Sequence, residues 1–159
     1  MAVAVVFAVV ITRWAWVSDD AFITLRTVDN ALSGYGLRWN VADRVQAYTH
    51  PLWMLLLLLV HAVTGEPWFG TMALGGVTSL AALVAVVLQA RSHAGSLVVL
   101  ALLGSKAFVD FATSGLENPL THLLLVGLWL QKTPLGAVFV WSLALCNRLD
   151  AAVLFTPLL

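Results

Sequence analysis

An all-α, polytopic integral membrane bundle is the fold class that three features of the sequence predict. The chain is 61% hydrophobic and only 10% charged, with a mean hydropathy of +0.95. A water-soluble domain of this size carries about 25% charged residues, so a soluble globule is excluded. Apolar segments recur at about 1–17, 51–64, 69–90, 94–112, 119–130, 134–146 and from 149 onward. Between them stand short polar stretches with helix-start signals: His50-Pro51, Asn118-Pro119 and Thr133-Pro134. Proline is tolerated at the first helical position because its missing N–H would be unpaired there anyway.

Segment 69–90 is the one uncharged run long enough to span without qualification, since about 20 residues cross a roughly 30 Å core. The other segments are shorter or interrupted, so tilted, re-entrant or thinned placements are expected. Residues 1–17 read as a membrane segment rather than a cleaved leader, because Trp14, Ala15 and Trp16 suit an interfacial anchor better than a cleavage site. The last residues, "AAVLFTPLL", again belong to an apolar segment. Residues 1–159 are therefore expected to be the N-terminal part of a longer membrane domain, truncated at its C-terminus.

Between Val17 and Trp53 lie seven of the sixteen Lys, Arg, Asp and Glu residues. Ser18 can cap a helix opening at Asp19, with Phe22, Leu25, Val28 and Leu32 on one side and Arg26, Asp29 and Ser33 elsewhere. Gly34 and Gly36 end it. Such a helix is too polar to cross a bilayer and suited to lie along one, so 18–50 reads as a loop holding a juxtamembrane helix. Basic residues in short loops, Arg91 with His93 and Lys132, mark the cytoplasmic side. That assignment puts Glu117 and the 147–150 turn outside. It puts Asp19 outside as well if segment 51–64 only dips into the outer leaflet; a true crossing there would separate them.

Net charge is zero with no basic cluster, which argues against a nucleic-acid partner. Cys146 is the single cysteine, which excludes an internal disulfide and a multi-cysteine metal site. No phosphate-binding glycine loop, H-E-x-x-H motif or nucleophile elbow is present. The four histidines show no ligand spacing; His61 and His122 read as packing residues, while His50, before a proline, is placed to line a site.

Two acids in the first turn of a helix complement its dipole, worth a few tenths to about 1 kcal/mol. Where a chain leaves a membrane, two adjacent carboxylates also raise one pKa, which suits a general base. Asp19 and Asp20 carry both readings. Glu117 is either the closing member of a Ser114–Glu117 capping box or a free carboxylate just outside a helix begun by Asn118-Pro119; Pro119 favours the second. Arg148 and Asp150 form a neutralising pair or a binding pair. Lys106 and Asp110, at (i, i+4) within 94–112, form a salt bridge or line a ligand path. Tyr35, Trp39, Tyr48 and Trp53 suit an interfacial belt or a sugar-stacking surface.

"DDAFITLRTVDNALSGYGLRWN", then "RVQAYTHPLW", "SGLENPLTHLLL" and "NRLDA", resembles the N-terminal part of GT-C membrane glycosyltransferases. Among these it is most similar to the actinobacterial terminal β-(1→2)-arabinofuranosyltransferase group. The resemblance implies a GT-C-like bundle in the cytoplasmic membrane, multi-pass, with its site on the extracytoplasmic side. It implies transfer with inversion from a polyprenyl-phosphate sugar to a cell-envelope glycan, with membrane lipids around the protein. Asp19 takes the place of the base, Asp20 its partner, and Glu117 the second loop carboxylate. Arg26, Asn40, Arg44, Tyr48, His50, Lys106, Arg148 and Asp150 are candidate donor- or acceptor-binding residues. The resemblance names no definite cofactor, and no metal ligand is assigned. A divalent cation bridging Asp20 and Glu117 to the phosphate stays open. A pentose such as arabinofuranose is the expected sugar, with a hexose such as mannose as the rival. A transporter or scaffold fragment is the rival outside enzymes, and it would leave Asp19 and Glu117 apart and solvated.

Overall fold

In a computed structural model, which describes residues 2–43, 45, 47–90 and 93–158, every regular element is helical. The all-α class expected from the sequence is what forms. The elements are α1 (Ala2–Arg13), α2 (Asp19–Leu32), α3 (Pro51–Thr64), α4 (Pro67–Gln89), α5 (His93–Gly104), α6 (Lys106–Asp110), α7 (Asn118–Trp129), α8 (Pro134–Asn147) and α9 (Ala152–Phe155). Short 3₁₀ turns at Leu149–Ala151 and Thr156–Leu158 flank α9.

Helix α4 is the spine. Among the described residues it alone is long and apolar enough to cross a bilayer by length and composition. Pro67 sits in its first turn, and Glu66, a cap the sequence reading did not single out, accepts from Phe69 N at 2.6 Å and Gly70 N at 3.4 Å. Small residues on one face let neighbours come close. A Cβ on Gly75 would lie 2.6 Å from the Ala112 carbonyl oxygen, and one on Gly76 would lie 3.5 Å from Ile11. Phe7, Ile11, Leu83, Val86, Val99, Phe108 and Ala112 close one apolar core, in which Phe7 and Phe108 stack at 5.3 Å. Since Ile11 meets Gly76 and Phe7 joins Leu83, α1 and α4 run antiparallel. α7 and α8 are antiparallel too, with Thr121 against Asn147 and Gly127 against Val140.

Helix α3 stays at one end of α4. Near its start, Trp53 donates its indole N–H to the Gly115 carbonyl at 2.8 Å. A Cβ on Gly115 would lie 2.9 Å from Thr71, and one on Gly70 2.8 Å from Val60 of α3. Residues near both ends of α3 thus gather around the first turns of α4. Its 14 residues rise about 21 Å, short of a roughly 30 Å core.

Three expectations change. Segment 94–112 is not one helix: it breaks at Ser105, whose extended backbone and side chain, accepting from Phe108 N at 3.3 Å, start α6 afresh. Lys106 and Asp110 therefore sit on a separate short helix and not within a long apolar span. On α2 the buried side is Ala21, Thr24, Leu25, Thr27, Val28 and Asn30, whereas Phe22 and Leu32 are exposed. Hydroxyls at 24 and 27 are covered because each has a bonding partner, and Phe22 packs outward on Trp68 at 5.4 Å. Trp53 is no interfacial residue; it is fully buried with its N–H satisfied, as a buried indole requires.

Gly75→Ala forces the Ala112 backbone away and is expected to lower unfolding stability in detergent by about 1–3 kcal/mol. Gly104→Ala, with open space around it, leaves the unfolding midpoint unchanged or slightly raised.

Candidate functional site

Three chain segments meet at one end of the bundle. The stretch ahead of α2 is stitched to the turn ahead of α7: Trp16 Nε1 donates to Asp110 O at 2.8 Å, Trp16 N to Thr113 Oγ1 at 3.3 Å, and Ser18 N to Ser114 O at 2.8 Å. Gly115 makes the turn possible. Its φ is +82°, and a Cβ would press on Ala21 at 2.8 Å and Thr71 at 2.9 Å. With Trp53 bonded to its carbonyl, the turn is fixed from α2, α3 and α4 at once.

Glu117 follows that turn at the cap position of α7, and its side chain caps nothing. Ser114 bonds Phe111 O and Leu116 N, so the capping-box alternative does not form. Instead the Glu117 carboxylate, only 11% exposed, receives Arg148 Nη1 at 2.9 Å on one oxygen and faces His50 Nδ1 at 3.5 Å with the other. The second ring nitrogen of His50 lies 2.8 Å from Thr24 Oγ1. A neutral ring with its proton on Nδ1, toward the carboxylate, accepts the threonine hydroxyl at Nε2. Asn147, at the end of α8, donates to the Glu117 carbonyl at 3.3 Å and to Thr121 Oγ1 at 2.9 Å. The remaining face of Arg148 forks onto Asp150, Nε to Oδ1 at 2.9 Å and Nη2 to Oδ2 at 2.5 Å.

Two cavities adjoin at Glu117, Arg148 and Thr49. One, about 290 Å³, is lined by Asp20, Thr24, His50, Leu116, Glu117 and Arg148 among others. The other, about 740 Å³, is lined by Tyr48, Pro51, Leu145, Cys146, Leu149 and Asp150 besides the shared residues. Asp20 and Glu117, far apart in the chain, therefore face one space. Asp19 is exposed outside that lining, and its Oδ1 accepts from Asp20 N at 3.0 Å and Ser18 Oγ at 3.2 Å. Ser18 holds the cap position of α2 without a side-chain capping bond.

Other residues singled out from the sequence stand elsewhere. Arg26 lies over the Trp39 ring at 4.5 Å and donates to its carbonyl at 3.0 Å. Asn40 is half-buried in the following loop, outside both linings. Lys106 is 90% exposed and pairs with Asp110 at 3.8 Å, the salt-bridge alternative. An exposed pair of that kind contributes little. Arg44 lies outside the described residues. Thr24, Asn147 and Trp53 were not assigned to the site from sequence. Asn147 opens "NRLD" and had a visible signal; Thr24 had none, because a threonine inside a helix looks like any other.

Charge is unevenly balanced here. Burial pulls the His50 pKa below 6.5, and Arg148 adds to this while Glu117 opposes it. The Asp150 bond, with Glu117 nearby, raises Arg148 against burial. Arg148 in turn lowers Asp150. Among the described residues no three His, Cys, Asp or Glu side chains gather as metal ligands, and Glu117 is committed to Arg148. Asp20 and Glu117 are the two carboxylates that line the smaller cavity.

A carboxylate opposite a carboxylate-anchored arginine, across a small cavity, suits a proton acceptor working beside an anion. Comparison with known proteins is narrower. The chain is 35% identical over 127 residues to the terminal β-(1→2)-arabinofuranosyltransferase of Corynebacterium glutamicum, covering 72% of this chain. It is 34% identical over 164 aligned positions to the protein of that name from Mycobacterium tuberculosis, covering 94% of this chain. The chain is thus related to these arabinofuranosyltransferases and spans 18% and 25% of their lengths. No family model and no solved structure matches it.

Since the fold favours neutral His50, its contribution to stability is complete above pH 6.5 and is lost as pH falls below that value. The unfolding midpoint is expected to drop between about pH 7.5 and about pH 5.5, and His50→Gln to flatten that slope.

Proposed function

We propose that this chain is part of an inverting glycosyltransferase, transferring a pentose such as arabinofuranose from a polyprenyl-phosphate donor to a cell-envelope glycan. The convergence of Asp20, Glu117, His50 and Arg148 on one cavity carries the reading. The names of the two relatives supply the sugar.

The chemistry follows from the residues. An acceptor hydroxyl in the smaller cavity gives its proton to Asp20, the member of the acidic pair that lines it. The acceptor oxygen bonds to the anomeric carbon from the face opposite the phosphate, whose C–O bond breaks, so configuration inverts. The leaving phosphate monoester gains charge as that bond opens, and a fixed guanidinium stabilises it where the charge develops. Glu117 holds Arg148 in place, and His50 ties that pair to α2 and hence to Asp20. A phosphate leaves without strong acid help, so one base and one cation suffice for the step. Asp19 holds the backbone beneath Asp20.

In this reading the bundle is multi-pass in the cytoplasmic membrane, with α2, the loop after it and α3 lying at the extracytoplasmic rim. Support comes from α3, which is gathered with α2 around the start of α4. Residues 18–50 are then the first external loop, and 1–159 the N-terminal part of the transmembrane domain.

The whole polypeptide that carries this chain, in membranes with a radiolabelled polyprenyl-phosphate arabinofuranose and a glycan acceptor, tests the reading. Asp20→Asn is expected to cost at least about 100-fold in transfer, the usual contribution of a general base. Glu117→Gln loses activity with it, while Asp29→Asn, outside both cavities, does not. Full transfer by the Asp20→Asn protein would refute the assignment of the base.

A further inference from the structure

We propose that Asp150 is a displaceable stand-in: its carboxylate occupies, on the Arg148 guanidinium, the place that an ester phosphate takes when the adjoining 740 Å³ cavity fills. The inference rests on the proposed donor chemistry and adds where the anion lodges and what it must push aside.

The two carboxylates on Arg148 are not equivalent. Glu117 is 11% exposed, sits at a turn fixed from three helices, and has His50 on its second oxygen. Asp150 is 67% exposed, rides on the short 3₁₀ turn Leu149–Ala151, and engages the Nε/Nη2 edge of the guanidinium with both oxygens. That edge is the fork by which arginine grips either a carboxylate or a phosphate, with the same parallel geometry. The inner pair is thus anchored, and the outer pair closes a binding edge with an exposed group whose attraction is screened by water.

The neighbouring cavity fits what would replace it. Arg148 and Asp150 are both in its wall, and Pro51, Leu145, Cys146 and Leu149 give the same wall an apolar side. A phosphate at the fork, with a hydrocarbon chain along those residues, uses both kinds of surface. Charge points the same way. Around Arg148 stand Glu117, Asp150 and Asp20 with a His50 kept neutral, an excess of negative charge. An anion entering without the departure of Asp150 would meet two carboxylates on one cation. Exchange keeps the guanidinium doubly paired throughout. An ester phosphate with an apolar chain could come from a polyprenyl phosphate or from an anionic phospholipid, and the two are separable.

Cys146, exposed in the same wall, is a native reporter. The chain in neutral detergent is treated with N-ethylmaleimide while farnesyl phosphate is titrated in, and modification of the Cys146 peptide is followed by mass spectrometry. Farnesyl phosphate is expected to protect Cys146. Asp150→Asn removes the competitor and lowers the half-protecting concentration about fivefold, or about 1 kcal/mol. Asp150→Ser shifts it in the same direction. Arg148→Lys, which keeps the charge and loses the fork, binds more weakly and no longer responds to Asp150→Asn. An unchanged or raised half-protecting concentration in both Asp150 variants, with folding intact by unfolding midpoint, would overturn the exchange. Equal protection by phosphatidylglycerol, with the same gain in the Asp150 variants, would uphold the exchange and defeat the polyprenyl donor reading. Inorganic phosphate alone is expected to protect far less than farnesyl phosphate, because it leaves the apolar wall empty.

Discussion

The ion pair between Glu117 and Arg148 is the contact on which the site depends. Each partner comes from a different turn, one ahead of α7 and one after α8, and neither turn has regular structure to hold it alone. A carboxylate this shielded from water is costly to leave uncompensated, so Glu117 needs Arg148 beside it once the two turns meet. Around the pair, neutral hydrogen bonds fix direction: Asn147 to the Glu117 backbone, Thr24 to His50, Trp53 to Gly115. Polar groups at this end of the bundle are linked into one network, and a linked network specifies a geometry that apolar packing alone would leave loose.

The helical class was legible because composition and proline-marked starts are local. Pro51 and Pro134 open helices at their own positions, Thr133 caps through Gly136 N, and α8 begins where the Thr133-Pro134 signal placed it. Glu117 was legible for the same reason, since Pro119 denied it a capping role. The break at Ser105 was not, because an apolar run with two charges looks alike whether or not one peptide unit turns extended. The covered polar residues of α2 were not legible for another reason. Periodicity ranks residues by apolarity, whereas Thr24, Thr27 and Asn30 are covered because long-range or backbone partners satisfy them. Such partners lie outside any local window.

Within the acidic motif, the resemblance put Asp19 in the place of the base, whereas the smaller cavity is lined by Asp20. Consecutive residues point about 100° apart, so neighbours need not share a surface. Asp20 faces the cavity with Thr24, one turn on, whose hydroxyl meets His50. Asp19 is left to bond the backbone of its neighbour. Arg26, assigned a ligand role from its charge, is occupied by the Trp39 ring and carbonyl, a use that no charge pattern reveals.

The approach of Gly75 to the Ala112 carbonyl is main chain against helix, with no side chain between them. Side chains absorb small displacements by changing rotamer; two touching backbones have no such slack. The stretch leading to Glu117 therefore rests directly on the long helix, and a larger side chain at position 75 would displace the two from one another.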